Sequence, residues 1–162
     1  MSRSVDKMKE VAQQLERDYK VKTKVIEFNL AISSAKEVEN LYTTLDTITE
    51  DVCLLVNNAG KAHANPIHEH SVDICFNMIN LNINGSVFIA RYFIKKFLDR
   101  FEQKKTRSAI VNLSSIAAIH PTGGTSIYGS TKAFDRIFSL NMRKEYSDKI
   151  DVLTVLPLST KS

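Results

Sequence analysis

The sequence predicts an α/β domain built on a doubly wound parallel sheet, and three observations carry that prediction. Amphipathic helical stretches and short aliphatic runs alternate along the 162 residues without exception. The aliphatic runs are nearly continuous, which is the pattern of strands buried on both faces in parallel sheets. No internal repeat or low-complexity segment interrupts the alternation. Strands joined through helices pair in parallel by right-handed crossovers, which gives the sheet its winding.

In chain order, Met8, Val11, Ala12, Leu15 and Tyr19 fall at helical spacing among charged residues, an amphipathic helix expected to lie on the sheet. Lys22 to Leu30 alternates apolar Val25, Ile26 and Phe28 with polar residues and reads as a strand, followed by Ser33 and Ser34 as helix-start chemistry. The next helix carries Val38, Leu41, Tyr42, Leu45 and Ile48 on one stripe, and Val52 to Val56 is a buried strand. A long helix is expected from Val72 to Phe101, apolar at Phe76, Ile79, Ile83, Val87, Ala90, Ile94, Phe97 and Phe101, with an irregular stretch at Asn80 to Gly85. Ser108 to Leu113 is a buried strand, Ser126 to Tyr146 a third helix, and Val152 to Leu156 a last strand ended by Pro157.

Composition narrows the function class. The formal net charge is +4, yet basic residues are scattered, with only Lys104, Lys105 and Arg107 close together. That distribution fits a solvated surface and an anionic small-molecule ligand rather than nucleic acid. Cys53 and Cys75 lack the number and spacing of a disulfide framework or a zinc site and read as reduced core thiols. No apolar stretch approaches the roughly 20 residues of a membrane helix, so the chain is expected to be soluble as given.

Chemistry concentrates in four places. Tyr128 and Lys132 stand four positions apart near the start of a helix, so their side chains share one face. A phenol is a suitable acid for carbonyl reduction but too weak by itself at neutral pH, and a nearby ammonium makes it stronger. Ser115 ends Asn112-Leu113-Ser114-Ser115 directly after a buried strand, where ligands of parallel sheets are held and where a hydroxyl meets charge growing on a carbonyl oxygen. Ser114, its neighbour, reads as the turn or cap serine. Asn57-Asn58-Ala59-Gly60 closes another strand, with amides able to pin backbone groups and a glycine that admits a sugar closely. Asn82 sits inside a helix three residues before Gly85, two poor helix formers that point to a kink around an inward-facing amide.

In this order and spacing, NNAG at 57–60, Asn82 to Gly85, Ser115 after NLSS, and YGSTK at 128–132 resemble the short-chain dehydrogenase/reductase family over the whole chain. The resemblance implies a Rossmann-like fold running from about the end of the family's second strand to just past its sixth, a single partial domain over residues 1–162. The family's first strand, Gly-rich loop, first helix and second strand have no counterpart, since none of the five glycines precedes Gly60. It implies that Tyr128 is the general acid, Ser115 orients the carbonyl, Lys132 binds the nicotinamide ribose and acidifies the tyrosine, and Asn82 holds a proton-relay water. Arg3, Ser4, Asn29, Asn58, Ala59, Gly60 and Pro157, with Tyr128 and Lys132, are expected at the cofactor.

SRS at 2–4, YKVKTKVIEF, MINLNI and VLTVLP resemble the branch of very-long-chain 3-oxoacyl-CoA reductases and 17-beta-hydroxysteroid dehydrogenases. Arg3 and Ser4 then face a 2′-phosphate, which implies NADP(H); a guanidinium fork matches phosphate geometry. Two positions depart from the family: Asn29 stands where an aspartate is usual, and Leu158 where glycine is frequent. The implied activity is hydride transfer to the ketone of a 3-oxoacyl-CoA or steroid-like lipid, and the alternative is a catalytically silent binding or assembly subunit. The resemblance further implies the endoplasmic reticulum, against the cytoplasm for a chain soluble as given, and a homodimer through the Tyr128 helix. No metal is expected: His63, His68 and His70 have only Glu69 to complete a ligand set, and border the substrate entrance.

Overall fold

In the computed structural model, residues 5–48 and 50–158 are described. Three strands, β1 (Leu54–Asn57), β2 (Ser108–Leu113) and β3 (Ile150–Val155), pair in parallel in the order β1-β2-β3. Leu55 faces Ile110 and Ile110 faces Val152 in register, and all three are buried. The helices are α1 (Val5–Tyr19), α2 (Ala35–Leu45), α3 (Val72–Ile79), α4 (Gly85–Lys104) and α5 (Ser126–Glu145). Both connections step the same way across the sheet, so right-handed crossovers place them on one face. This is the expected Rossmann-like arrangement, represented by the strands of one winding direction.

Local chemistry explains the helix starts. Ser34 caps α2 by accepting from the Glu37 N–H, and the Glu37 carboxylate accepts in return from the Ser33 N–H at 2.6 Å. Ser71 caps α3 through the Ile74 N–H. Between α3 and α4 the irregular stretch is a π turn, Asn80–Asn84. The α2 stripe behaves as expected, with Leu41 and Leu45 buried in the same core cluster as Phe93 and Phe97 of α4, Ile110 and Met142.

Several expectations are corrected. Lys22 to Leu30 forms no strand; it has a single bridge, at Glu27. Alternation predicts an extended backbone, but a strand also needs a continuous ladder, and here packing anchors the segment instead, with Leu30 and Ile32 buried beside the start of α4. Val56 and Leu54 are about half exposed, so β1 is buried on one face only, and Cys53 is exposed rather than a core thiol. Nor does α1 lie on the sheet: none of its residues is buried, and Val11 and Tyr19 are exposed. The common reason is that the second sheet face has no cover among the described residues. The α3–α4 stripe is also shifted. Phe76 and Ile79 are exposed while Met78 is fully buried, because the extra residue of a π turn rotates the helix face that precedes it relative to the face that follows.

Candidate active site

The site grows from the carboxyl ends of β2 and β3. Val155 accepts from the Ser114 N–H at 2.8 Å and Pro157 from the Ile116 N–H at 3.1 Å, which ties the two strand ends together. Ser115 caps the short turn Ile116–Ala118, its Oγ accepting from the Ala117 N–H at 3.2 Å and keeping its own proton to donate. Ser115 thus also takes the cap expected of Ser114, while Ser114 is buried and donates to the Lys132 carbonyl at 2.7 Å. In the first turn of α5, a Cβ on Gly129 would stand 3.1 Å from the Ala117 carbonyl oxygen. That glycine lets α5 approach the turn closely, which brings the helix segment bearing Tyr128 beside the turn begun by Ser115.

Lys132, one turn further along α5, is buried, and its Nζ donates to the Leu113 carbonyl at 2.7 Å and to Asp135 Oδ2 at 3.0 Å. An ammonium has three N–H groups, so one remains for a ligand. Asn82 in the π turn is fully buried. Its Oδ1 accepts from the Lys61 N–H at 2.8 Å, and its Nδ2 donates to the Lys61 carbonyl and to Thr131 Oγ1, both at 3.0 Å. It therefore holds the loop after β1 against α5. At that junction a Cβ on Gly60 would stand 3.4 Å from both Lys132 Nζ and Asn82 Oδ1. The bare glycine leaves a polar cradle at the mouth of the lysine site.

A cleft of about 820 Å³ opens beside this cradle, lined among others by Asn29, Asn58, Ala59, Gly60, Lys61 and Ser86. Asn29 lies on its wall, with Oδ1 accepting from the Ala31 N–H. The structure thus brings Asn29, Asn58, Ala59 and Gly60 to one cleft and joins Gly60 to Asn82 and Lys132. Ser115, Pro157 and the Tyr128 segment meet at the turn before α5. Arg3 and Ser4 lie outside the described residues. His63 and His70 approach edge to face at 6.3 Å, and His63 lines the cleft.

Sequence reasoning missed the polar chain beneath the lysine. Asn57 Nδ2 donates to Asn112 Oδ1, Asn112 Nδ2 to Ser139 Oγ, and Ser139 Oγ to the Asp135 carbonyl. Asp135, Ser139, Asn112 and Thr131 are all buried. Burial pushes the Asp135 carboxyl above the usual carboxylate range, against the opposing pull of the Lys132 ammonium. Spacing offered one signal, Ser139 four residues after Asp135 and Asp135 three after Lys132 on one helical face.

Comparison with known proteins adds to this geometry. A family model for short chain dehydrogenase matches residues 1–162. A "Probable NADP-dependent dehydrogenase" of Haemophilus influenzae is 34% identical over 157 residues, 96% of this chain and 58% of that protein. A very-long-chain 3-oxoacyl-CoA reductase of Anas platyrhynchos is 31% identical over 166 residues, 97% of this chain and 49% of that protein. A short-chain dehydrogenase from Sphingobium yanoikuyae, solved with NADPH, superposes with a TM-score of 0.83 at 28% identity, covering 98% of this chain and 59% of the other. The chain spans about half the length of the relatives it matches.

Proposed function

Because this chain belongs to the short-chain dehydrogenase family, we propose that the protein carrying it is an NADP(H)-dependent oxidoreductase that reduces the ketone of a 3-oxoacyl-CoA or steroid-like lipid, with Tyr128 as general acid. One observation supports this above the others: a buried lysine one helical turn after Tyr128, with its Nζ at a glycine-lined cradle that opens on a cleft. The NADP-dependent and 3-oxoacyl-CoA-reducing relatives supply the cofactor and substrate class.

The residues present fit a nicotinamide nucleotide. Asn58, Ala59 and Gly60 offer backbone and amide groups along the cleft, and Asn29 would meet the adenine side. Arg3 and Ser4 would face the 2′-phosphate, and Pro157 and Lys132 the nicotinamide ribose. When bound, the dihydronicotinamide supplies the hydride. Ser115, whose Oγ already accepts from Ala117, donates its own proton to the substrate oxygen and orients it. Tyr128 gives that oxygen a proton as negative charge develops, and the Lys132 ammonium favours the phenolate left behind. Asn82 keeps Lys61 and Gly60 in place beside Lys132, and it would hold the relay water of the family.

Residues 1–162 act as one domain in this reading. Phe134, Ile137 and Leu140 present an apolar face on α5, which supports pairing of that helix with a second copy. Residence at the endoplasmic reticulum follows from the same branch of the family; no helix among the described residues is long and apolar enough to cross a membrane.

The test is NADPH oxidation followed at 340 nm with a 3-oxoacyl-CoA in the full-length protein that carries these residues. Tyr128→Phe should lower kcat by roughly 10²–10⁴-fold while NADPH still binds. Binding of NADPH without turnover by the wild type would favour the silent binding subunit.

A further inference from the structure

Nothing in the chemistry above requires a carboxylate beside the lysine, yet Asp135 occupies that place with its side chain only 6% exposed. A carboxylate is a costly way to fill space in a core, and an apolar side chain of similar size packs there as well or better. Its Oδ2 is taken by Lys132 Nζ. Among the described residues its Oδ1 has only Ser86 Oγ, at 3.3 Å, and that hydroxyl has one proton contested by the Asn82 and Ile83 carbonyls at 3.1 and 2.9 Å. The carboxylate is therefore held chiefly by the lysine, and the lysine is shared between the carboxylate and the Leu113 carbonyl.

We propose that Asp135 is a positioning residue that acts through Lys132: by pairing with the ammonium it fixes Lys132 Nζ beside the Leu113 carbonyl, ready for the sugar hydroxyls and Tyr128. The proposal rests on the function inferred above for its consequence and on geometry for its premise. The side chains facing the pair are otherwise neutral. Asn82 and Ser86 come from the π turn and α4, and the Leu113 carbonyl from the end of β2. Tyr128 on α5 and the exposed Lys61 in the loop after β1 are the neighbouring titratable residues.

The sign follows from electrostatics. Burial favours a neutral lysine, and an adjacent carboxylate opposes it. In Asp135→Asn only burial remains, so Lys132 should lose its proton at a lower pH than in the wild type. The measurement is the ¹⁵N resonance of Lys132 Nζ across pH in lysine-labelled protein, assigned with Lys132→Arg. A downward shift of the titration supports the proposal, and superimposable titrations overturn it. Should Asp135→Asn fail to fold, the wild type decides: the Lys132 Nζ resonance must move as the Asp135 carboxyl titrates, and an unmoved resonance overturns the proposal. In the full-length protein, NADPH affinity of Asp135→Asn should fall roughly tenfold between neutral pH and the pH at which its lysine is uncharged, while the wild type holds. A lysine shift without that fall would refute the link to the sugar. Absence of NADPH binding in the wild type at every pH would instead count against the function proposed above, with the lysine titration still deciding the role of Asp135.

Discussion

Asn82 combines three hydrogen bonds with complete burial, and all three reach across the fold, to the Lys61 backbone and to Thr131. Asn82→Leu keeps the volume but leaves the Lys61 N–H without its acceptor. Such a group costs about 1–3 kcal/mol, so urea unfolding should show a loss in that range at an unchanged slope. A loss near zero would mean that water replaces the amide. Asn82 stands out in the sequence because an amide and a glycine disfavour the middle of a helix. Asp135 does not, since an acidic residue three positions from a lysine is what an ordinary solvated helix face displays. Only the neighbours that bury it, from α4 and β2, separate the two cases.

Among the elements, the junction of the π turn and α4 has the tightest packing requirement. A Cβ on Gly85 would lie 2.7 Å from the Leu30 carbonyl oxygen, a backbone atom with little freedom to yield. Glycine to alanine inside a helix normally stabilises by roughly 1 kcal/mol. Here the clash should reverse the sign, and Gly85→Ala should destabilise by about 1–3 kcal/mol, read from the urea midpoint. The same contact explains why Lys22 to Leu30 matters without being a strand: Leu30 and Ile32 seat the start of α4, and Asn84 Nδ2 donates to the Ile32 carbonyl at 2.8 Å. Alternation shows an extended backbone in that segment, but a ladder depends on a partner supplied from elsewhere. The helix stripe fails for a similar reason, because periodicity from Phe76 to Phe101 assumes a uniform 3.6-residue turn that the π turn breaks.

For the whole molecule, the two sheet faces differ. Leu54, Val56 and Leu153 stand on the face opposite Leu55, Ile110 and Val152 and are about half exposed. Apolar area of this kind binds hydrophobic dyes and promotes association. Leu54→Thr with Val56→Thr should reduce dye fluorescence and the sedimenting oligomer while changing stability by less than about 1 kcal/mol, since β-branched threonine suits a strand. Equal dye binding in both proteins would place the sticky surface elsewhere. Exposed ion pairs of Asp51, Glu102 and Asp151 add an acid-sensitive contribution. Hydrogen bonds from Lys104 and Arg100 hold Asp51 below the usual carboxylate range, those from Lys149 and Lys105 do the same for Glu102, and the Arg107 bond for Asp151. Depressed carboxylates contribute stability above the ordinary carboxylate range that is lost as pH falls through their lowered values. The melting temperature should therefore drop below the ordinary range, less steeply in Asp51→Asn and less steeply in high salt, because these pairs are exposed and screened. An Asp51→Asn profile parallel to the wild type would remove Asp51 from this account.

The sequence by itself determined what depends on near neighbours: the alternation of helix and strand from α2 onward, the Ser34 cap, the break at Asn80 to Gly85, and the Tyr128–Lys132 spacing that marks the family. Each is written in residues within one or two turns of one another, where backbone geometry alone decides which side chains share a face. The tertiary structure decided which sheet face is covered, whether Lys22 to Leu30 joins a ladder, which of Ser114 and Ser115 is the cap, and that Asp135 is buried against Lys132. Those outcomes depend on groups brought from 20 or more residues away in most cases, as Lys61 is to Asn82 across 21 positions and Thr131 across 49. Burial and hydrogen-bond partnership are properties of the assembled neighbourhood, and no local pattern encodes a partner that only folding supplies.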